Sequence, residues 1–429
     1  MSQIASHSGH AHHDHAEPHV AARAKLKDSA VLFPGGLNKL AAGLWFVGIV
    51  GLIAAAVGAM STGEQGAAHA LAAYHVGFLF ALGLSLGCLG LTMILQQFNA
   101  GWSAAIRRQA ENVASLIPLV FVLFLPVAVI EIMVTHGKLF HWMDTHHAAH
   151  DPIIQAKSGY LNVGRWALFA VLFFGVWTLL ALKLRGFSVA QDQTGDKWLT
   201  ARARRMSSYG LLIFALTTAF ASFDWLMSMD PHWFSTMFGV YFFAGSMMSC
   251  IALVIIVLGV LKMKGKLEGV VTAEHFHDLG KLLLSFTIFW AYVTFCQYFL
   301  IWYSNIPEET AFYNYRSHGG FEKLGIVLCF GHFLIPFVIL LFRGVKRNYK
   351  LLMAVAAWQL VMHAVDLLYM VRPIVHGVHF GEHLWLDVLG LMGPLGIFLG
   401  FVAWRVGTAP LVPVKDPRLH EALAHKNYV

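Results

Sequence analysis

The residues of this sequence that could do chemistry are ionisable side chains set inside long apolar runs. Asp224, Asp366, Glu131 and Asp387 lie in such runs, as do His75, His332 and His363. A charged group in hydrocarbon costs ~2.5–3.5 kcal/mol on insertion scales, so it marks a functional path or a buried partner. His363 and Asp366 stand three residues apart, on one face of a helix. A carboxylate there is tolerated if water, a partner charge or protonation relieves it, and near neutrality it can take up and release a proton. Imidazole titrates in that range unaided. Asp224, His363 and Asp366 are therefore the first proton-transfer candidates, with Glu131 and His332 second. Tyr292, Gln297 and Tyr298 add hydrogen-bonding groups, and Asp230 and His232 follow Asp224. The other reading of the same groups is a set of interhelical hydrogen bonds that only holds helices together.

Membrane-crossing helices must position these groups. Of 429 residues, 58% are hydrophobic and 12% charged, with a mean hydropathy of +0.63. A soluble protein usually carries about 25% charged residues, so a lone water-soluble domain and a disordered chain are excluded. A span needs roughly 20 mostly apolar residues. Ten runs qualify, at about 38–59, 71–95, 113–135, 162–182, 207–229, 236–261, 279–301, 323–342, 350–371 and 384–406. The spacing predicts an all-α polytopic membrane protein with ten transmembrane helices over 38–406, a His-rich tail at 1–37 and a second tail at 407–429. Strand-like alternation is missing, which excludes a β-barrel. No apolar h-region precedes residue 38, so no cleavable signal peptide is expected.

Basic residues set the expected orientation. With both termini on one side, 24 of the 30 Lys and Arg collect there, against Lys138, Lys157, Arg165, Arg316, Lys323 and Arg372 opposite. Cytoplasmic loops hold such an excess, so both tails are expected in the cytoplasm. The bases sit in short loops between apolar runs, a pattern of membrane topology rather than of nucleic-acid binding. In this orientation the candidate carboxylates fall between mid-membrane and the outer surface, which predicts a polar half-cavity opening outward. Trp142, Trp225, Trp233, Trp302, Tyr303 and Trp385 fit an interfacial belt.

An internal echo links span 2 (Gly77-Phe78-Leu79-Phe80-Ala81) to span 6 (Val240-Tyr241-Phe242-Phe243-Ala244). It groups spans 2–5 and 6–9 as two similarly oriented four-helix bundles, with spans 1 and 10 peripheral. Small residues at Gly77, Ala81, Ser85, Gly245 and Ser249 would allow close helix contact. Cys88, Cys250, Cys296 and Cys329 each stand alone in apolar runs, without the spacing of a zinc, iron–sulfur or c-type haem site. Histidine tracts lie at His7, His10, His12, His13, His15 and His19, and at His136, His141, His146, His147 and His150. These read as a polar tail and a polar loop with incidental metal affinity, so no resident metal is expected. His332 and His363 share a depth of ~14 Å from Lys323 and Arg372. A bis-His haem b anchor is geometrically possible there, yet the spacing does not force one and no haem is expected. A secondary transporter is a further class, and it would call for inverted repeats.

Two long segments carry a resemblance. One runs Ser222-Phe223-Asp224-Trp225-Leu226-Met227-Ser228-Met229-Asp230-Pro231-His232-Trp233-Phe234-Ser235-Thr236-Met237-Phe238-Gly239. The other runs Phe289-Trp290-Ala291-Tyr292 and then Phe295-Cys296-Gln297-Tyr298-Phe299-Leu300-Ile301-Trp302-Tyr303-Ser304-Asn305-Ile306-Pro307-Glu308-Glu309-Thr310. The loop from Asp151-Pro152 to Tyr160-Leu161-Asn162 adds support. Together they resemble the NrfD-like family of polysulfide-reductase membrane subunits, in its bacterial alternative complex III branch, over roughly 38–406. The chain looks like the second of that branch's two related ten-helix subunits. The resemblance implies two four-helix bundles plus two outer helices in a bacterial inner-membrane complex that oxidises quinol near the outer face. Its implied partners are a related NrfD-like membrane subunit, an iron–sulfur subunit and multihaem cytochrome c subunits, which would hold the redox centres this chain lacks motifs for. His75, Gln297, Tyr298, Asp230 and His232 become the quinol-binding candidates. The resemblance leaves open whether this subunit holds quinol or supports proton movement and assembly.

Overall fold

The computed structural model describes residues 37–375 and 380–427. Ten helices in it are long and apolar enough to cross a membrane. They are α1 (Asn38–Ser61), α2 (Gly66–Gln97), α3 (Arg107–Thr135), α4 (Val163–Thr194), α5 (Lys197–Met229), α6 (Phe238–Met263), α7 (Ala273–Ser304), α8 (Phe321–Leu341), α9 (Tyr349–Ile374) and α10 (Leu384–Val406). The described residues contain no strand. All ten expected spans are present, and the chain is an all-α polytopic membrane protein. The histidine tract between His7 and His19 lies outside the described residues.

Several helices run well past their apolar runs. At 32 residues α4 is ~48 Å long, against a hydrocarbon core of ~30 Å. Its surplus, with the start of α5, forms a polar helical hairpin that carries Lys183, Arg185, Arg202, Arg204 and Arg205. Gly195 ends α4 at φ +70°, and Asp196 caps α5 by accepting the Trp198 N–H at 2.8 Å. Hydropathy marks the part of a helix inside lipid, so it set these two boundaries about ten residues short. The face with this hairpin is the basic face; the other is the opposite face.

Helices α2 and α6 form the centre. In their most apolar stretches 94% and 83% of residues are buried, against 22% in α1. Helices α2–α5 pack together as one bundle and α6–α9 as a second, joined back to back across α2 and α6. Helices α1 and α10 pair at the side, with α10 against α2. Glycine permits the central contact: a Cβ on Gly87 would stand 2.1 Å from the Ser246 carbonyl oxygen. Gly77 serves another contact, since its Cβ would meet Leu391 O and Pro394 of α10, each at 3.0 Å.

The expected aromatic belt is half right. Trp302, Tyr303 and Trp385 are exposed, but Trp142, Trp225 and Trp233 are buried. Trp225 packs among Phe124, Phe174 and Phe78, with ring centroids 5.0, 5.3 and 6.0 Å away. An indole can fill a bundle interior as well as an interface, and sequence position alone does not separate the two.

On the basic face the C-terminal segment 407–427 straps one bundle to the other. Gln109 of α3 donates to Leu411 O at 2.8 Å, and Arg107 reaches Asp416 at 2.6 Å. Further along, His425 Nε2 lies 2.5 Å from Asp278 of α7, and Asn427 donates to Glu274 at 3.1 Å. Burial pushes the Asp416 carboxyl up, but the Arg107 and Arg418 guanidiniums outweigh it and hold it down at about 2.

Candidate functional site

The second bundle has a polar interior built on α9. Asn348 caps that helix, its side chain accepting the N–H groups of Lys350 and Leu351 at 3.1 and 3.4 Å. The 3.6-residue period then turns Gln359, His363 and Asp366 inward, where all three are buried. Asp366 accepts the Tyr241 phenol O–H from α6 and the Trp290 indole N–H from α7, the latter at 3.1 Å. His363 Nδ1 lies 3.7 Å from Asp366 Oδ2. His332 of α8 stacks on Trp290 with ring centroids 4.0 Å apart, and 6.2 Å separates it from the His363 ring. Each of the four helices thus contributes a side chain.

Two local devices set this geometry. Residues Leu328–Leu334 of α8 wind as a π-helix, a form that often marks functional turns. Pro336 has no N–H to offer the widened turn. Trp358 Nε1 of α9 instead donates to the Gly331 carbonyl at 2.7 Å, tying the π-turn to α9. The second device is Gly245 of α6, whose Cβ would stand 2.7 Å from His363 Cε1. Its bare backbone leaves the imidazole its place, beside Phe80 of α2 at 5.4 Å between ring centroids. His363 therefore touches both bundles.

The charge balance of this cluster is unusual. Both donors to Asp366 are neutral, and among the described residues no Lys or Arg pairs with it. Neither nitrogen of His332, nor Nδ1 of His363, has a hydrogen-bond partner among them. A buried ionised carboxylate without a cation is costly, and taking up a proton relieves that cost. The cluster gathers a carboxylate, a phenol, an indole and two imidazoles in one buried interior.

The remaining proton-transfer candidates do not join it. Asp224, in the first bundle, pairs with Arg165 at 2.5 Å, and that guanidinium lies 3.6 Å over the Tyr160 ring. Glu131 accepts from the Thr135 hydroxyl at 2.7 Å and from the N–H groups of Leu139 and Phe140, each at 3.1 Å. These bonds anchor the loop after α3, where His136 turns at φ +48°. The candidates thus occupy separate sites in two bundles rather than the single outward cavity that their common depth suggested.

The quinol-binding candidates also divide. Gln297 and Tyr298 gather at the opposite-face end of α7. Gln297 accepts from Ser235 at 2.9 Å and donates to the Tyr313 hydroxyl at 3.4 Å. Tyr298 stands half-exposed, its ring edge-on to Tyr313 at 5.1 Å. Asp230 accepts the His232 N–H at 3.1 Å, and His232 Nε2 meets Asp151 at 2.6 Å on the surface. His75 is inside the first bundle, its Nε2 donating to Trp225 O at 2.7 Å.

Sequence reasoning missed Tyr241, Trp290, Arg165 and Gly245 as site residues, although the echo contained Tyr241 and the resemblance contained Trp290. It also missed a clasp between α2, α9 and α10. There Arg372 holds Asp387 at 2.9 Å, and His69 bridges them, 3.0 Å from Asp387 and 3.1 Å from Arg372. Arginine can only donate, so His69 accepts at Nδ1 and donates from Nε2. In the sequence Arg372 reads only as an opposite-face charge; in the fold it also closes this clasp.

No family model matches the chain, and no curated protein matches it.

Proposed function

We propose that this chain is an integral membrane subunit of a quinol-oxidising respiratory or photosynthetic electron-transfer complex of the alternative complex III type. In this reading it lies in the bacterial inner membrane with both termini in the cytoplasm. The opposite face is then the outer face. Its task is to handle protons released by quinol oxidation, while electrons leave through iron–sulfur and multihaem cytochrome c subunits. One observation carries the reading: Asp366, buried with neutral donors from Tyr241 and Trp290, faces His363 and His332, and Nδ1 of the first and both nitrogens of the second have no hydrogen-bond partner among the described residues.

Oxidising a quinol releases two electrons and two protons, so a site that accepts protons away from water is what such a subunit needs. Gln297, Tyr298 and Tyr313 offer amide and phenol groups to a quinol headgroup at the outer end of α7. A secondary transporter built on inverted repeats would need echoing helices of opposite direction, whereas α6 comes four spans after α2 and the two run the same way.

The test is purification of the tagged full chain from its own membrane under mild detergent. The expected result is co-purification with a multihaem c-type cytochrome and an iron–sulfur protein, with quinol-dependent cytochrome c reduction. A chain isolated free of any redox partner from membranes that retain that activity would contradict the reading.

A further inference from the structure

The loop between α3 and α4 carries five histidines, and folding brings two of them together. Thr145–His150 form a short helix. Asp144 caps it, with Oδ1 accepting the N–H groups of His146 and His147 at 2.9 and 3.3 Å. At the other end Gln155 Nε2 donates to Ala149 O at 2.6 Å, and Asp151 caps the following helix, Pro152–Ala156. The turn is thus held from both sides.

His146 and His150 stand four residues apart, on one face of this helix. Both are exposed, and their ring centroids are 5.0 Å apart. His150 Nδ1 lies 2.8 Å from His146 O. A carbonyl can only accept, so Nδ1 carries the proton and Nε2 keeps its lone pair. That is the contact by which metal-ligating histidines are usually oriented, the second nitrogen donating to a carbonyl or carboxylate. Two imidazoles at this spacing on a helix are a known ligand pair for zinc. His147 sits ~100° around the helix from His146 and is not part of the pair.

We propose that His146 and His150 form a two-imidazole chelate for a divalent ion of the zinc, copper and nickel class, with solvent completing the coordination. These ions favour imidazole nitrogen, whereas magnesium and calcium favour oxygen. Among the described residues no group of three or more His, Cys, Asp or Glu is placed to hold an ion. The site is therefore an open pair, weaker than a closed structural zinc site. The inference stands apart from the electron-transfer reading and survives its failure.

The test uses the full chain in detergent with His7, His10, His12, His13, His15 and His19 each changed to Gln, which silences the other tract. Cu²⁺ is titrated with electron paramagnetic resonance to count nitrogen ligands, and Zn²⁺ with calorimetry. The expected result is one ion per chain with two nitrogen ligands. His146→Gln and His150→Gln should each weaken binding roughly tenfold or more, while His147→Gln leaves it unchanged. Binding that survives both His146→Gln and His150→Gln would overturn the assignment. So would a loss in His147→Gln as large as theirs, or no binding in the tail-silenced chain.

Discussion

The phenol of Tyr241 donates its hydrogen bond to the carboxylate of Asp366, joining α6 to α9 across 125 residues of sequence. In the first bundle the echo places Phe78 at the position of Tyr241, and its surroundings are the rings of Phe124 and Trp225. The cores of the two bundles therefore differ. Around Phe78 the first bundle holds aromatic rings and His75, with Asp224 paired to Arg165. Around Tyr241 the second holds an Asp without a Lys or Arg partner among the described residues, an indole and two imidazoles. On the proposed reading, proton chemistry belongs to the second bundle and a supporting role to the first.

Asp224 should accordingly behave as half of a structural ion pair. Arg165→Met leaves a buried, unpaired carboxylate and should lower stability by about 3 kcal/mol. The double variant Arg165→Met, Asp224→Asn should recover much of that loss. Thermal unfolding in detergent measures both. A double variant no more stable than Arg165→Met would show that the pair is not what holds Asp224.

Gly245→Ala tests the space left for His363. The added methyl would stand 2.7 Å from the imidazole, so His363 must move or α6 must shift, at a cost of about 1–3 kcal/mol. Gly175→Ala is the control, since nothing lies within 4 Å of the Cβ it would add. Thermal unfolding should separate the two variants, and quinol oxidation should fall only in Gly245→Ala. Equal behaviour of both would remove His363 from its assigned place.

The C-terminal strap should be lost only in strong acid. The Asp416 carboxyl is lowered from 3.8 to about 2, despite burial, because Arg107 and Arg418 favour its charge. A depressed carboxylate contributes stability that is fully present above its unfolded value and disappears as pH falls through its folded value. The shift corresponds to about 2 kcal/mol. Hydrogen exchange over 411–423, corrected for intrinsic rate, should show protection at pH 4 and its loss near pH 2. Loss already at pH 5 would mean that other groups hold the strap.

The ten spans, their grouping and the depth match between His332 and His363 were legible because hydropathy, charge asymmetry and helical period act locally. The partners were not. Asp224 and Asp366 look alike in sequence, each an Asp in an apolar run. Arg165 lies 59 residues from the first, and Tyr241 lies 125 from the second. Which cation or phenol arrives depends on how helices pack, and periodicity carries no information about that. The same limit hid the buried role of Trp225, and the space that Gly245 leaves for an imidazole.

The proposed orientation has a direct check. Thr194 is exposed on the basic face and Asn314 on the opposite face. Thr194→Cys and Asn314→Cys should react oppositely with an impermeant thiol reagent applied to intact cells, only the second being labelled. Labelling of both, or of Thr194→Cys alone, would contradict the orientation.

The central claim is that Asp366 takes up and releases protons during quinol oxidation, and Asp366→Asn tests it most directly. The amide preserves shape and still accepts a hydrogen bond, but it does not titrate. Turnover and the proton-to-electron ratio are measured on the assembled complex in proteoliposomes. The account predicts normal assembly with turnover reduced roughly a hundredfold, or a lowered proton-to-electron ratio. Normal assembly with parental turnover and parental proton stoichiometry would contradict it.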